Sequence, residues 1–203
     1  MKFETQTHVQ RFALGIICGL LPVGCLLLGL LGAYRGINYS GWYKSISATY
    51  FANSSPCMIA ALSLCSFFLF TYKGYDMGDR VYTMVAAVSA PMIVIFPCAA
   101  APLDYVGLFA CPIKVSNWIH TVAAATLFGS FALMTLLQFP KGKHRRRNMI
   151  YRTCGWIMLA LMAVAALSSI FDLPDYMTMI CEAGMLWAFA VAWIVKSGVL
   201  PQI

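Results

Sequence analysis

FALGIICGLLPVGCLLLGLL, Phe12–Leu31, is a run of twenty residues without a charge. As a helix it is about 30 Å long, the thickness of the hydrocarbon core of a bilayer. Five more apolar stretches follow: Pro56–Thr71, Val81–Ala100, Asn117–Phe139, Ile150–Ile170 and Met177–Lys196. The second reaches full span length only if it begins near Ala52. The strands of a membrane barrel are short and alternate polar with apolar, whereas these runs are long and continuous. The chain is 61% hydrophobic and 10% charged, too little charge to cover a water-soluble surface. The expected fold is an all-α integral membrane bundle of six transmembrane helices, with residues 1–203 as a single domain. The polar Met1–His8 segment makes the first run look like a signal peptide. Its length, and the lack of a small-x-small cleavage site after it, argue that it stays.

The net charge of +7 reads as a topology signal, not a nucleic-acid footprint. With six spans both termini share one side. That side holds eleven Lys and Arg: Lys2, Arg11, Lys73, Arg80, Lys141, Lys143, Arg145, Arg146, Arg147, Arg152 and Lys196. The other holds three, Arg35, Lys44 and Lys114. Basic residues stay on the cytoplasmic side, so both termini are expected there, in a prokaryotic plasma membrane. The turn KGKHRRRN, Lys141–Asn148, is expected to meet anionic lipid, with Lys141 to Arg147 as the contact. Asp104, Asp172, Asp175 and Glu182 fall toward the opposite face. They either solubilise its loops and cap its turns or draw cations to a vestibule.

Small residues and prolines suggest how the helices meet. Gly15 and Gly19 form G-x-x-x-G, and Ala125 and Gly129 a second small pair. Both are expected to serve bundle packing, with a homodimer through the first span left open. Pro22 and Pro91 each free a carbonyl inside a span, for which Ser89 is a local candidate donor near Pro91. The first outer loop, Gly32–Ser55, carries Tyr34, Tyr39, Trp42, Tyr43, Tyr50 and Phe51, which suit an interfacial belt or the mouth of a pocket. A short re-entrant or interfacial helix is expected around Trp42–Phe51. Of eight cysteines, Cys18, Cys25 and Cys65 read as packing residues. Cys98 and Cys111 are the easiest pair to bridge in an oxidising compartment.

The residues with chemistry gather near the outer face. Glu182 lies about 8 Å inside the last span at 1.5 Å per residue. A carboxylate at that depth is expected to face protein or water rather than lipid. His120, in SNWIHTVAAATL, should lie at a similar depth. If their helices are neighbours, Glu182 would orient the imidazole as a base, proton relay or structural clamp. Ser45, Ser47 and Tyr50 sit near the same face. Ser47, His120 and Glu182 are the catalytic candidates if the protein is a hydrolase, as nucleophile, base and orienter. The serine lacks a strand–turn–helix elbow, which weakens that reading. No spacing points to a metal, and no cofactor motif is present.

SISATY at Ser45–Tyr50, FLFTYKGYD at Phe68–Asp76, RRRNMIYRTCGWIM at Arg145–Met158 and EAGMLWAFAVAWIVKSG at Glu182–Gly198 carry a resemblance. In these the chain resembles the uncharacterised DUF998-like multispanning membrane proteins of bacteria and archaea. The resemblance implies a six-helix bundle with Ser47, Tyr50, His120 and Glu182 beside the outer face. It brings no established reaction. A remoter likeness is to ceramidase- and receptor-like membrane hydrolases. The chain departs from them in having one well-placed histidine and no H-x-x-x-H helix, so zinc amidase chemistry does not carry over.

Three classes follow. The leading one is transport or binding of a small polar or amphipathic ligand in an outward-facing polar cavity, with Ser45, Ser47, Tyr50, His120 and Glu182 as its lining. The second is an integral membrane hydrolase or lipid-modifying enzyme. The third is an assembly or sensor protein that meets a partner through its outer loop.

Overall fold

The apolar runs form helices because only hydrogen bonds made within the segment satisfy a backbone surrounded by lipid. The computed structural model describes residues 2–31, 42–74, 76–171, 174 and 176–199. Tyr34, Arg35, Tyr39, Asp172 and Asp175 lie outside the described residues. Among the described residues there are six α-helices: α1 Lys2–Gly29, α2 Ser55–Thr71, α3 Met77–Ile95, α4 Ile113–Leu133, α5 Arg145–Ile170 and α6 Met177–Ser197. Five have a stretch long and apolar enough to cross a membrane, and α2 is a shorter apolar helix of 17 residues. Each helix packs on its neighbour in sequence, and α6 closes the ring against α1. Exposed Leu20, Leu27, Phe67, Val88 and Trp156 face outward. Such apolar exteriors suit lipid and not water.

Several expected boundaries move: α1, α3, α4 and α5 begin earlier than expected, at Lys2, Met77, Ile113 and Arg145. The third helix stops at Ile95, not Ala100, because Pro97 cannot continue it. Beyond it a two-residue β-hairpin, β1 Tyr105–Val106 and β2 Cys111–Pro112, folds back over the helix end. Its Gly107 has φ +78°, and a Cβ there would come within 2.3 Å of the Ile95 carbonyl oxygen, so the turn needs glycine. Leu108 N–H donates to that carbonyl at 3.3 Å. Cys98 and Cys111 are free thiols here. α4 continues through a π-turn at Met134–Gln138 and a short 3-10 turn at Phe139–Lys141.

The carbonyl freed by Pro91 meets a donor from another helix. Pro91 leaves the Ala87 carbonyl without its helical donor, and Ser66 of α2 supplies a hydroxyl at 2.7 Å. Ser89, the local candidate, bonds Val85 instead. Near Pro22 the indole N–H of Trp187 donates to the Gly19 carbonyl at 3.1 Å. Across the turn from α2 to α3, Arg80 donates to the terminal carbonyls of Phe70 and Tyr72. Lys141 bridges Asp76 and Gln138. That bond, together with the Asp79 amide, holds the Asp76 carboxyl below the usual aspartate range.

G-x-x-x-G is spent inside the bundle. A Cβ on Gly15 would stand 2.8 Å from Ile194 and 3.1 Å from the Ala190 carbonyl oxygen of α6. Gly129 has open space instead. Gly15→Leu should therefore destabilise the protein by about 2 kcal/mol or more through overpacking. Gly129→Leu should be nearly neutral. Thermal unfolding of the two variants in one detergent checks the contrast, and equal losses would contradict it.

Aromatic rings fill the centre toward the end of the bundle that carries Lys141–Asn148, here the basic end. Phe131 stacks on Phe189, Phe189 meets Trp193, and Trp193 is wedged edge-on against Tyr72 and Phe139. Trp193 is 1% exposed, which makes it core rather than an interface anchor.

Candidate functional site

The opposite end is closed by the second half of the Gly32–Ser55 loop. It forms two short 3-10 helices, Trp42–Lys44 and Ser47–Phe51. The sequence favours such turns. Ser45 Oγ accepts from the Ala48 amide at 2.9 Å, the Thr49 hydroxyl donates to the Ile46 carbonyl, and Ser54 Oγ donates to the Thr49 carbonyl at 3.1 Å. Ser45 is thus engaged in shaping its own segment. Tyr50 is half-buried, its ring edge-on to Phe51 at 5.2 Å.

Glu182 reaches this segment from α6. Its carboxylate accepts from the Ile46 amide at 2.6 Å, and the amide and hydroxyl of Ser47 also face it. Ile46 precedes the Ser47–Phe51 helix, so Glu182 satisfies orphan amides at a helix start from outside the chain segment. These bonds to buried amides anchor the segment to α6.

His120 does not join Glu182. Its Nδ1 donates to the Ile93 carbonyl at 3.1 Å and the Phe96 carbonyl at 2.9 Å. Among the described residues no hydrogen bond or ion pair links the two side chains. The reason is azimuth rather than depth. α4 and α6 do meet, through Phe131 and Phe189, but His120 is turned toward the end of α3 while Glu182 is turned toward the Ile46 segment. Ile93 is four residues before Pro97, whose missing N–H leaves that carbonyl open. His120 fills it, Ser116 donates to the Pro97 carbonyl at 2.7 Å, and Asn117 accepts from the Ala99 amide at 2.8 Å. One turn of α4 therefore clamps the irregular end of α3. Ser116 and Asn117 were not among the expected site residues. Their spacing with His120, opposite a proline-ended helix, was the available signal.

A clamp makes a definite prediction. His120→Ala leaves the buried Ile93 carbonyl and the part-buried Phe96 carbonyl without their donor and should cost about 2 kcal/mol. Thr121→Ala loses only an exposed bond within its own helix and should be neutral. Chemical or thermal unfolding of the two variants decides, and an undisturbed His120→Ala would sink the clamp.

Ser47 and Glu182 also form the polar end of a narrow cleft running into the bundle. Leu21, Met58, Leu62, Leu127 and Phe128 are among its apolar walls, and its volume is about 30 Å³. Among the described residues no group of three or more His, Cys, Asp or Glu side chains is arranged to hold a metal. No protein-family model, curated protein or solved structure matches the chain.

Proposed function

We propose that the protein binds a small amphipathic ligand, with an apolar chain in the cleft and a hydrogen-bond-donating head at Glu182 and Ser47. The observation that carries this is the character of the cleft: apolar walls ending in one carboxylate and one hydroxyl. A carboxylate held by backbone amides keeps lone pairs for a further donor, such as a hydroxyl or amine. Ser45 supports the segment, and Tyr50 packs beside it. At about 30 Å³ the cleft as it stands has room for about one water, so its walls, half-buried Phe128 among them, must move apart for a chain to enter. His120 holds the end of α3 beside Ile93, another cleft wall, and so maintains the shape of the site.

In this reading the basic end faces the cytoplasm, supported by the eleven-to-three distribution of Lys and Arg. The cleft then opens in the outer half of the membrane. Transport of the ligand is the extension of this reading. The resemblance to DUF998-like proteins belongs with it as a family proposal. The hydrolase reading has less support, because the Ser47 hydroxyl faces Glu182 while His120 Nδ1 is committed to two carbonyls.

Photo-crosslinking with a long-chain alcohol bearing a diazirine tests the proposal. Wild type should be labelled within α2 and α4 at Met58 or Leu127, and Phe128→Ala should be labelled more. Ala124→Phe, which fills the cleft, should lose the labelling while staying folded. Equal labelling of Ala124→Phe and wild type would defeat it.

A further inference from the structure

A second polar centre lies at the basic end, built from different residues. The α4–α5 turn folds back so that Lys141, His144 and Arg147 share a cleft of about 380 Å³ with Lys196 of α6. No acidic residue lines it among the described residues. Lys141 is bonded to Asp76, so that positive charge is partly answered. Lys196 lies 4.8 Å from the Phe139 ring centroid and 5.7 Å from that of Tyr151, and donates to the Phe139 carbonyl at a long 3.4 Å. Arg11 and Lys141 add to the positive field at Lys196, and Asp79 opposes them. Asn148 fixes the turn by donating to the Gly142 carbonyl at 2.7 Å. The first turn of α5 carries no acid, and its N-cap His144 makes no side-chain capping bond, so the helix dipole adds to the same potential.

Topology and attraction to a lipid surface call for basic residues on the outside of a turn. They do not call for an inward cleft that gathers cations from two separate elements. Cations brought to one cavity from two elements raise its positive potential, which favours a bound anion. We propose that this cleft binds a phosphate-bearing anion, supplied by a soluble phosphomonoester or by the headgroup of an anionic lipid. Arg147 offers the fork suited to phosphate oxygens, Lys141 and Lys196 offer point charges, and the volume falls in the range of small-molecule sites. The other side of α5 supplies an internal comparison. There Lys143, Arg145 and Arg152 flank the exposed Trp156 in an open groove, where unspecific attraction to lipid acts.

The test is equilibrium binding of inorganic phosphate to the full-length protein in detergent, followed by phosphorus NMR. Wild type should bind saturably. Arg147→Gln and Lys196→Gln should each weaken binding about tenfold or more, the effect expected for loss of a charge-assisted bond. Lys143→Gln should leave it unchanged. If Lys196→Gln does not fold, Arg147→Gln, half-buried at the cleft, carries the comparison, with its unfolding transition as control. Repeating the titration in nanodiscs separates the two sources. Phosphate binding that persists in phosphatidylcholine but is lost when phosphatidylglycerol is added assigns the cleft to a lipid headgroup. Persistence in both assigns it to a soluble anion. Absence of phosphate binding in wild type, an unchanged affinity in folded Arg147→Gln, or an equal loss in Lys143→Gln would overturn the proposal.

Discussion

Glu182→Ala should free the Ile46–Phe51 segment from α6 and lower stability by about 3 kcal/mol, the upper range for leaving buried amides without their acceptor. Ile46 is 5% exposed, so its amide cannot turn to solvent once the carboxylate is gone. Glu182→Gln should fall between wild type and Ala, because one amide oxygen still accepts while the amide nitrogen brings donors to a place already full of them. Hydrogen exchange of the peptide covering residues 45–52 should quicken in the order wild type, Gln, Ala. Exchange elsewhere in α6 should change less. Unchanged protection of that peptide in Glu182→Ala would show that local turns alone hold the segment.

Trp193→Ala should be as damaging, through packing, even though it also removes a buried indole N–H that has no acceptor among the described residues. The indole fills the space between Tyr72, Phe139 and Phe189. In lipid the helices gain little from hiding apolar surface, so close packing carries their association. Removing the indole forfeits those contacts and leaves a cavity, at a cost of about 3 kcal/mol or more. Trp193→Phe keeps one ring and should lose less than half as much. Unfolding in detergent measures both. The same space touches Lys196 through Phe139, so Trp193→Ala should also disturb the basic cleft. Trp187→Ala removes a half-exposed ring and one bond to Gly19 and should cost less.

Much of the helical layout was legible because continuous apolar length is a direct signal of a span. Phe12–Leu31 and Met177–Lys196 each lie close to a helix of the structure. The overrun of α3 to Ala100 came from weighing apolarity above Pro97, although both were in the sequence. Gly15 could be recognised as a contact point, but the identity of the opposite helix needed the closed ring. The site was harder to read. Depth in the membrane follows from counting residues, and it correctly set Glu182 and His120 near one end. Rotation about the helix axis does not follow, so their separate partners were hidden. Those partners are backbone groups, the Ile46 amide and the Ile93 and Phe96 carbonyls, which have no side-chain signature. Ser66 meeting Ala87 in place of Ser89 is the same lesson, since a donor on another helix can lie closer than one two residues away.

Native mass spectrometry of protein prepared in a mild, lipid-preserving detergent tests the central claim most directly, comparing wild type with Glu182→Gln and with Ala124→Phe. An amphipathic molecule carried by wild type, and lost or reduced in both variants while they remain folded, is the predicted result. A ligand-free wild type, or a molecule retained equally by all three, would contradict a binding cleft ending at Glu182 and Ser47.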